Sequence, residues 1–326
     1  MTSLPARLLA LAIRLTGRRR SFAQAERDPE AAVARRPRPA RPTPALRRTL
    51  AVTWETRDGF EVYTLAPRTG ARAPRAGARA PRTGAGAPGQ GARTGRVIYL
   101  HGGAYTSPIT RLHWRFLARL VSATGLTVTV PLYPLTPEHA CAQASAFAMA
   151  VYRACAEADP GAPIALMGDS AGGGLALSLA MQVRETGGAG NLPGPAGLVL
   201  ISPWLDVTTA DPSQARIEPR DVMLMRPGVR TLGRWYAGDW DLTDERVSPL
   251  FGTLRGLPPI ELFCGTHDIL VADARRLAAL ARAEEAPLAY HEEPGLMHVY
   301  PLLGLPESRR AEARIWDFLG DRMGRG

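Results

Sequence analysis

The chain has 326 residues, 45% of them hydrophobic, enough to bury a sizeable core, and its net charge of +10 is made without lysine: all 40 basic residues are arginine, a usage that reads as genomic nucleotide bias. The charge is segregated, since residues 1–96 hold 20 Arg against 6 acids (+14) while 97–326 hold 20 Arg against 24 acids (−4), so the body is mildly acidic and no nucleic-acid partner is implied. Three scattered cysteines, Cys141, Cys155 and Cys264, exclude a disulfide framework and a metal cluster and fit a reducing, cytoplasmic setting.

The opening segment, "MTSLPARLLALAIRLTGRRR", departs from a signal peptide, because Arg7 and Arg14 interrupt its apolar run and the basic cluster follows it; the Ala23-Gln24-Ala25 triplet, which resembles a cleavage site, keeps secretion as the alternative. No run of 18 apolar residues occurs anywhere, so no segment spans a membrane. Leucines and Ile13 within 4–16 share one helical face with Arg7 and Arg14 elsewhere, which predicts an amphipathic helix covering a hydrophobic pocket; peripheral contact of this basic arm with an anionic membrane is the alternative. Residues 35–48 are too rich in proline for regular structure and read as a wrapping arm, so 1–48 form one N-terminal unit and 49–326 the main domain.

Two β-rich runs around Asp58-Gly59 in "LAVTWETRDGFEVYTLAPR" predict a hairpin. The stretch 69–95 repeats "GARAPR" and has almost no large apolar residue, so a disordered insertion is expected. From residue 96 apolar runs at 97–100, 126–130, 164–167, 198–201, 260–263 and 287–290 alternate with helical patterns at 112–123, 139–158, 171–186, 272–285 and 307–320, the signature of an α/β fold with a mostly parallel sheet flanked by helices. Residues 207–245 break the rhythm with Met223, Leu224, Met225, Trp235, Tyr236 and Trp240, and read as an inserted lid.

The stretch "LMGDSAGGG" places Gly168-Asp169-Ser170-Ala171-Gly172 between a buried strand and a helix, the setting of a nucleophile elbow. A serine hydroxyl needs a base to take its proton, an acid to orient that base, and donors for the oxyanion that develops. His298, on a loop after the last strand, is the expected base, with His291 at a strand end as competitor. Asp268 is the expected acid; Asp273 is placed to cap the following helix instead, and His267 reads as a loop residue. "VIYLHGGAY" sets His101-Gly102-Gly103-Ala104 after a strand, and with the Ala171 amide either Gly103 and Ala104 or Gly102 and Gly103 complete the oxyanion hole. The order serine, aspartate, histidine is that of α/β hydrolases.

With "HGGAY", "YPLTPEH", "GDSAGGG", "SPWLD", "GTHDIL" and "GLMHVYP" in register over about 96–320, the chain resembles the hormone-sensitive-lipase-like branch of the α/β hydrolases, and within it bacterial carboxylesterases and monoterpene-lactone hydrolases. The resemblance implies a serine hydrolase acting on esters or lactones of small to medium apolar acyl groups, without cofactor or metal, through Ser170, Asp268 and His298, and a lid built from 4–30 and 207–245. It also implies that Glu138 and His139 hold the oxyanion loop, with His101 and Asp169 beside them. Ala104 stands where a third glycine is usual, which narrows the pocket, and the motif around Tyr133 lacks the usual arginine. Some plant relatives of this fold are receptors with a damaged triad, which makes a purely binding role the alternative.

Overall fold

The computed structural model describes residues 2–17, 19, 22, 27–68, 95–190 and 192–324, so the expected insertion at 69–95 lies outside the described residues except for Gly95. Asp58 and Gly59 both take positive φ (49° and 85°), the turn whose twist matches paired strands, and fold β1 (Leu50–Arg57) antiparallel onto β2 (Phe60–Pro67) as predicted.

The eight-stranded sheet runs β1-β2-β4-β3-β5-β6-β7-β8, with β3 (Arg96–Leu100), β4 (Thr127–Pro131), β5 (Ile164–Asp169), β6 (Gly197–Ile201), β7 (Ile260–His267) and β8 (Leu288–Met297) parallel, and β2 antiparallel to β4. Every residue of β5 and β6 is buried, because helices cover both faces of the sheet: α4 (Arg111–Thr124), α5 (Cys141–Ala158), α6 (Ala171–Gly190), α9 (Val271–Ala283) and α10 (Pro306–Arg322). The observed strands β7 and β8 outrun the apolar segments that announced them, since the ladder continues through Cys264 opposite Glu292 and Gly265 opposite Glu293.

The N-terminal arm contributes α1 (Leu4–Leu15), α2 (Pro29–Ala34) and α3 (Pro44–Thr49); α3 corrects the expectation of no regular structure over 35–48, because Pro44 stands at its first position, where the missing N–H costs nothing. Its proline-rich part is tied down by the Trp114 indole donating to the Ala40 carbonyl at 2.7 Å and the Ala40 amide to that of Ile109 at 3.0 Å. In α1 the predicted single apolar face is divided. Ala6 is fully buried and Leu9, Ala10 and Ile13 pack on the core, whereas Leu4, Leu8, Leu11 and Leu15 point away and are 62%, 57%, 56% and 81% exposed. Residues 207–245 carry α7 (Ser213–Ile217) and α8 (Arg226–Ala237), and bury Val222, Met223, Leu224, Leu232 and Tyr236. No helix among the described residues is long and apolar enough to cross a membrane.

Candidate active site

Six parallel strands deliver their C-terminal ends to one edge of the sheet, where ligand sites of open α/β folds form. Between β5 and α6, Ser170 takes φ 53°, a conformation that costs a side-chain-bearing residue energy and persists only when its surroundings hold it. They do: its amide donates to the Ile201 carbonyl at 2.9 Å, and its own carbonyl accepts from the amides of Gly173, Gly174 and Trp204 at 3.0, 3.2 and 2.9 Å. A Cβ on Gly168 would lie 2.2 Å from the Gly172 carbonyl oxygen, and one on Gly172 only 2.0 Å from that of Leu100, so both flanking positions exclude side chains.

His298 leaves β8 with Nε2 2.9 Å from Ser170 Oγ and Nδ1 2.8 Å from Asp268 Oδ2. The carboxylate assigns the imidazole proton to Nδ1, which leaves Nε2 free to accept from the serine hydroxyl. Asp268 is held in turn, its Oδ1 accepting the Leu270 amide at 2.9 Å. Burial draws the His298 pKa down, but the Asp268 carboxylate, with Asp221 and Asp169 further off, outweighs burial and the net displacement is upward. Such a buried chain of serine, imidazole and carboxylate can withdraw the hydroxyl proton as the oxygen attacks an electrophile.

Gly103, Ala104 and Tyr105 have φ of 136°, 53° and 60°, so the loop after β3 turns sharply at the C-terminal edge of the sheet. The amides of Gly103, Ala104 and Ala171 have no acceptor among the described residues. The Gly102 amide, by contrast, already donates to Asp169 Oδ1 at 2.8 Å, so of the two amide pairs expected from sequence only Gly103 with Ala104 is without such a partner among the described residues.

The sequence matches the α/β hydrolase fold family over residues 97–302. It is 34% identical over 235 residues to an acetyl-hydrolase of Streptomyces hygroscopicus, covering 71% of this chain and 77% of that protein, and 29% identical over 229 residues to an esterase of Acinetobacter venetianus, covering 69% and 74%. The crystal structure of an esterase from the bacterial hormone-sensitive lipase family superposes with a TM-score of 0.77 at 26% identity, covering 99% of this chain and all of that one. The chain is a hormone-sensitive-lipase-like α/β hydrolase.

Several residues of the hydrolase stand elsewhere than expected. Asp273 does not cap its own helix: fully buried in the first turn of α9, it accepts the Leu205 and Asp206 amides, each at 3.2 Å, and so ties down the loop after β6. Glu138 does not brace the oxyanion loop either. Its carboxylate is half exposed and pairs with Arg36 of the arm at 2.9 Å, Arg36 also donating to the Thr136 carbonyl, while His139 meets the edge of the Phe60 ring. The brace is instead Tyr133, whose hydroxyl donates to the His101 carbonyl at 2.6 Å and whose ring stacks on the His101 imidazole. Burial, and then repulsion from His113, lower the His101 pKa to about 4, so this imidazole is neutral near pH 7. His291 stays on β8, bonded to Glu261 at 2.5 Å, and His267 ends β7.

Three residues of the site's support, Tyr99, His113 and Asp221, gave no warning in the sequence. Asp169 Oδ1 also accepts the Tyr99 hydroxyl at 2.5 Å, and its Oδ2 lies 3.4 Å from His113 Nε2. Burial alone would raise the Asp169 pKa, but His113, Tyr99 and the Gly102 amide together lower it and keep the carboxylate charged. Asp221, from the 207–245 insertion, accepts the Met223 and Leu224 amides at 2.8 and 2.9 Å and the Ile269 amide at 2.9 Å, thereby gripping the loop that carries Asp268. Burial, and then the Asp268 charge, push the Asp221 pKa up to about 6. Tyr236 of α8 stacks face to face on Tyr105, ring centroids 3.4 Å apart, and so joins the insertion to the oxyanion loop.

Proposed function

We propose that the chain hydrolyses carboxylic esters, and lactones of similar size, through an acyl-enzyme on Ser170. His298 takes the serine proton and returns it to the leaving alcohol, Asp268 keeps the imidazole in the required tautomer, and the amides of Gly103, Ala104 and Ala171 receive the oxyanion. The observation that carries this reading is the pair of contacts at one imidazole, 2.9 Å to Ser170 Oγ and 2.8 Å to a fully buried carboxylate.

The insertion 207–245 and the inner face of α1 roof the acyl site in this reading. Its support is that Tyr236 packs on Tyr105, and that the Gly228 backbone of α8 sits against the Phe22 carbonyl of the arm. The apolar side chains Met223, Leu224 and Leu232 suit uncharged acyl groups of small to medium size. Three free, buried cysteines support a cytoplasmic setting.

Hydrolysis of p-nitrophenyl esters from acetate to laurate, by the wild type and by Ser170→Ala, tests the assignment. A rate that peaks at short or medium chains and disappears in the variant is expected, by a factor of about 10⁴ or more. Equal rates in the two proteins would refute it.

A further inference from the structure

The outward face of α1 has no role in the reaction just described. Leu4, Leu8, Leu11 and Leu15 follow one another at helical spacing and form a narrow stripe diametrically opposite Ala6, Leu9, Ala10 and Ile13, the side chains that attach the helix to the core. More than half of each of the four leucines is exposed, and Leu15 is 81% exposed. Arg7 and Arg14 lie along one flank of the stripe, both exposed and without an ion pair among the described residues, and α1 contains no acid. A helix that is apolar on its free face and cationic on its flank has the composition of an element that rests in the boundary layer of an anionic bilayer.

We propose that this face of α1 is a docking surface for an anionic phospholipid bilayer. A second copy of the chain is a poorer occupant, because two-fold pairing of the stripes would bring the arginines of both copies together, whereas anionic headgroups neutralise each of them. The helix is firmly placed to serve this end. The Ser3 amide and hydroxyl both donate to the Glu307 carboxylate, at 2.7 and 2.9 Å, and Thr2 Oγ1 donates to the Pro294 carbonyl at 3.3 Å, just before the strand end that leads to His298. Burial, then the Arg220 charge and last the Arg14 charge lower the pKa of His267, the neighbour of Asp268. A bilayer seated on α1 would therefore lie beside the rim of the reaction site; the docking surface stands without the proposed chemistry, but with it the inference extends to esters delivered from a lipid phase.

The test is co-sedimentation of the full chain, in the Ser170→Ala form so that no lipid is consumed, with vesicles of phosphatidylcholine alone and of phosphatidylcholine with phosphatidylglycerol. Binding should favour the anionic vesicles and weaken with salt. Leu8→Ser/Leu11→Ser/Leu15→Ser should lower the partition coefficient on both vesicle types by about tenfold or more. Arg7→Gln/Arg14→Gln should lower it about fivefold per arginine, and only on the anionic ones. Thermal unfolding monitors the fold, and the single change Leu15→Ser, at the helix end, keeps the test valid if the triple variant fails to fold. Equal binding to both vesicle types, or leucine variants that bind like the parent, overturns the proposal. So does a loss of self-association in the leucine variants with vesicle binding unchanged, which would make the stripe a contact between copies.

Discussion

Replacing Gly172 by alanine offers the sharpest test of how the elbow and the oxyanion loop depend on one another. The added Cβ would stand 2.0 Å from the Leu100 carbonyl oxygen, 2.5 Å from its carbon and 2.6 Å from the His101 carbonyl oxygen. Ordinary van der Waals contact begins at 3.4 Å, so the first turn of α6 and the end of β3 must separate by 3.4 − 2.0 = 1.4 Å. Both obstacles are backbone and cannot rotate away, which places the folding cost toward the upper end of the about 1–3 kcal/mol typical of overpacking. The same separation carries Gly103 and Ala104 away from Ala171 and splits the three donors. Misplacement by about 1 Å costs roughly a hundredfold in rate, so kcat on p-nitrophenyl butyrate should fall by about that factor while the protein still folds with a melting temperature lowered by several degrees. Gly187→Ala, also in α6, meets nothing nearer than the Leu192 carbonyl oxygen at 3.8 Å and should gain about 0.5–1 kcal/mol without change in rate. A Gly172→Ala protein with kcat within about twofold of the wild type would refute the reasoning, since no relaxation of 1.4 Å leaves both halves of the site in place.

Because the His298 pKa is raised above 6.5 in the folded protein and only the neutral imidazole accepts a proton, kcat/KM should rise through an acid limb centred above pH 6.5. In Asp268→Asn the residual activity should show that limb at lower pH, as the charge that raises it is gone, and a pH–rate profile with an unmoved limb would contradict the assignment. Asp169→Asn turns one of the two oxygens that together face three donors into a donor, leaving about 1–3 kcal/mol of unmet hydrogen bonding, and should lower kcat far more than it raises KM. Asp221→Ala removes the acceptor of three amides and should lower the melting temperature and, through the loosened Asp268 loop, kcat; calorimetry beside ester assays will show whether both fall.

How much of this was legible follows from the range over which each signal acts. The elbow was readable because strand, serine and glycines lie within nine consecutive residues, and the hairpin because Asp58-Gly59 meets its whole requirement locally. His298 and Asp268 could be ranked by their distance past a strand, which the parallel order then turned into contact across the sheet edge. The polar tips of Tyr99, His113 and Asp221 were hidden within otherwise apolar segments, and nothing local says which distant carboxylate or amide they meet. Glu138 misled for the same reason in reverse, since its partner Arg36 lies 102 residues earlier, in the arm. The period of α1 gave its helical form, but with Leu4, Leu8, Leu11 and Leu15 on one face and Leu9 and Ile13 on the opposite one it could not say which face would be docked.

The Asp169 carboxylate that takes the Gly102 amide belongs to the residue just before Ser170, so the elbow and the loop after β3 are hitched to one another through a single side chain. A displacement at the end of β5 is thereby passed to the loop after β3, and the reverse.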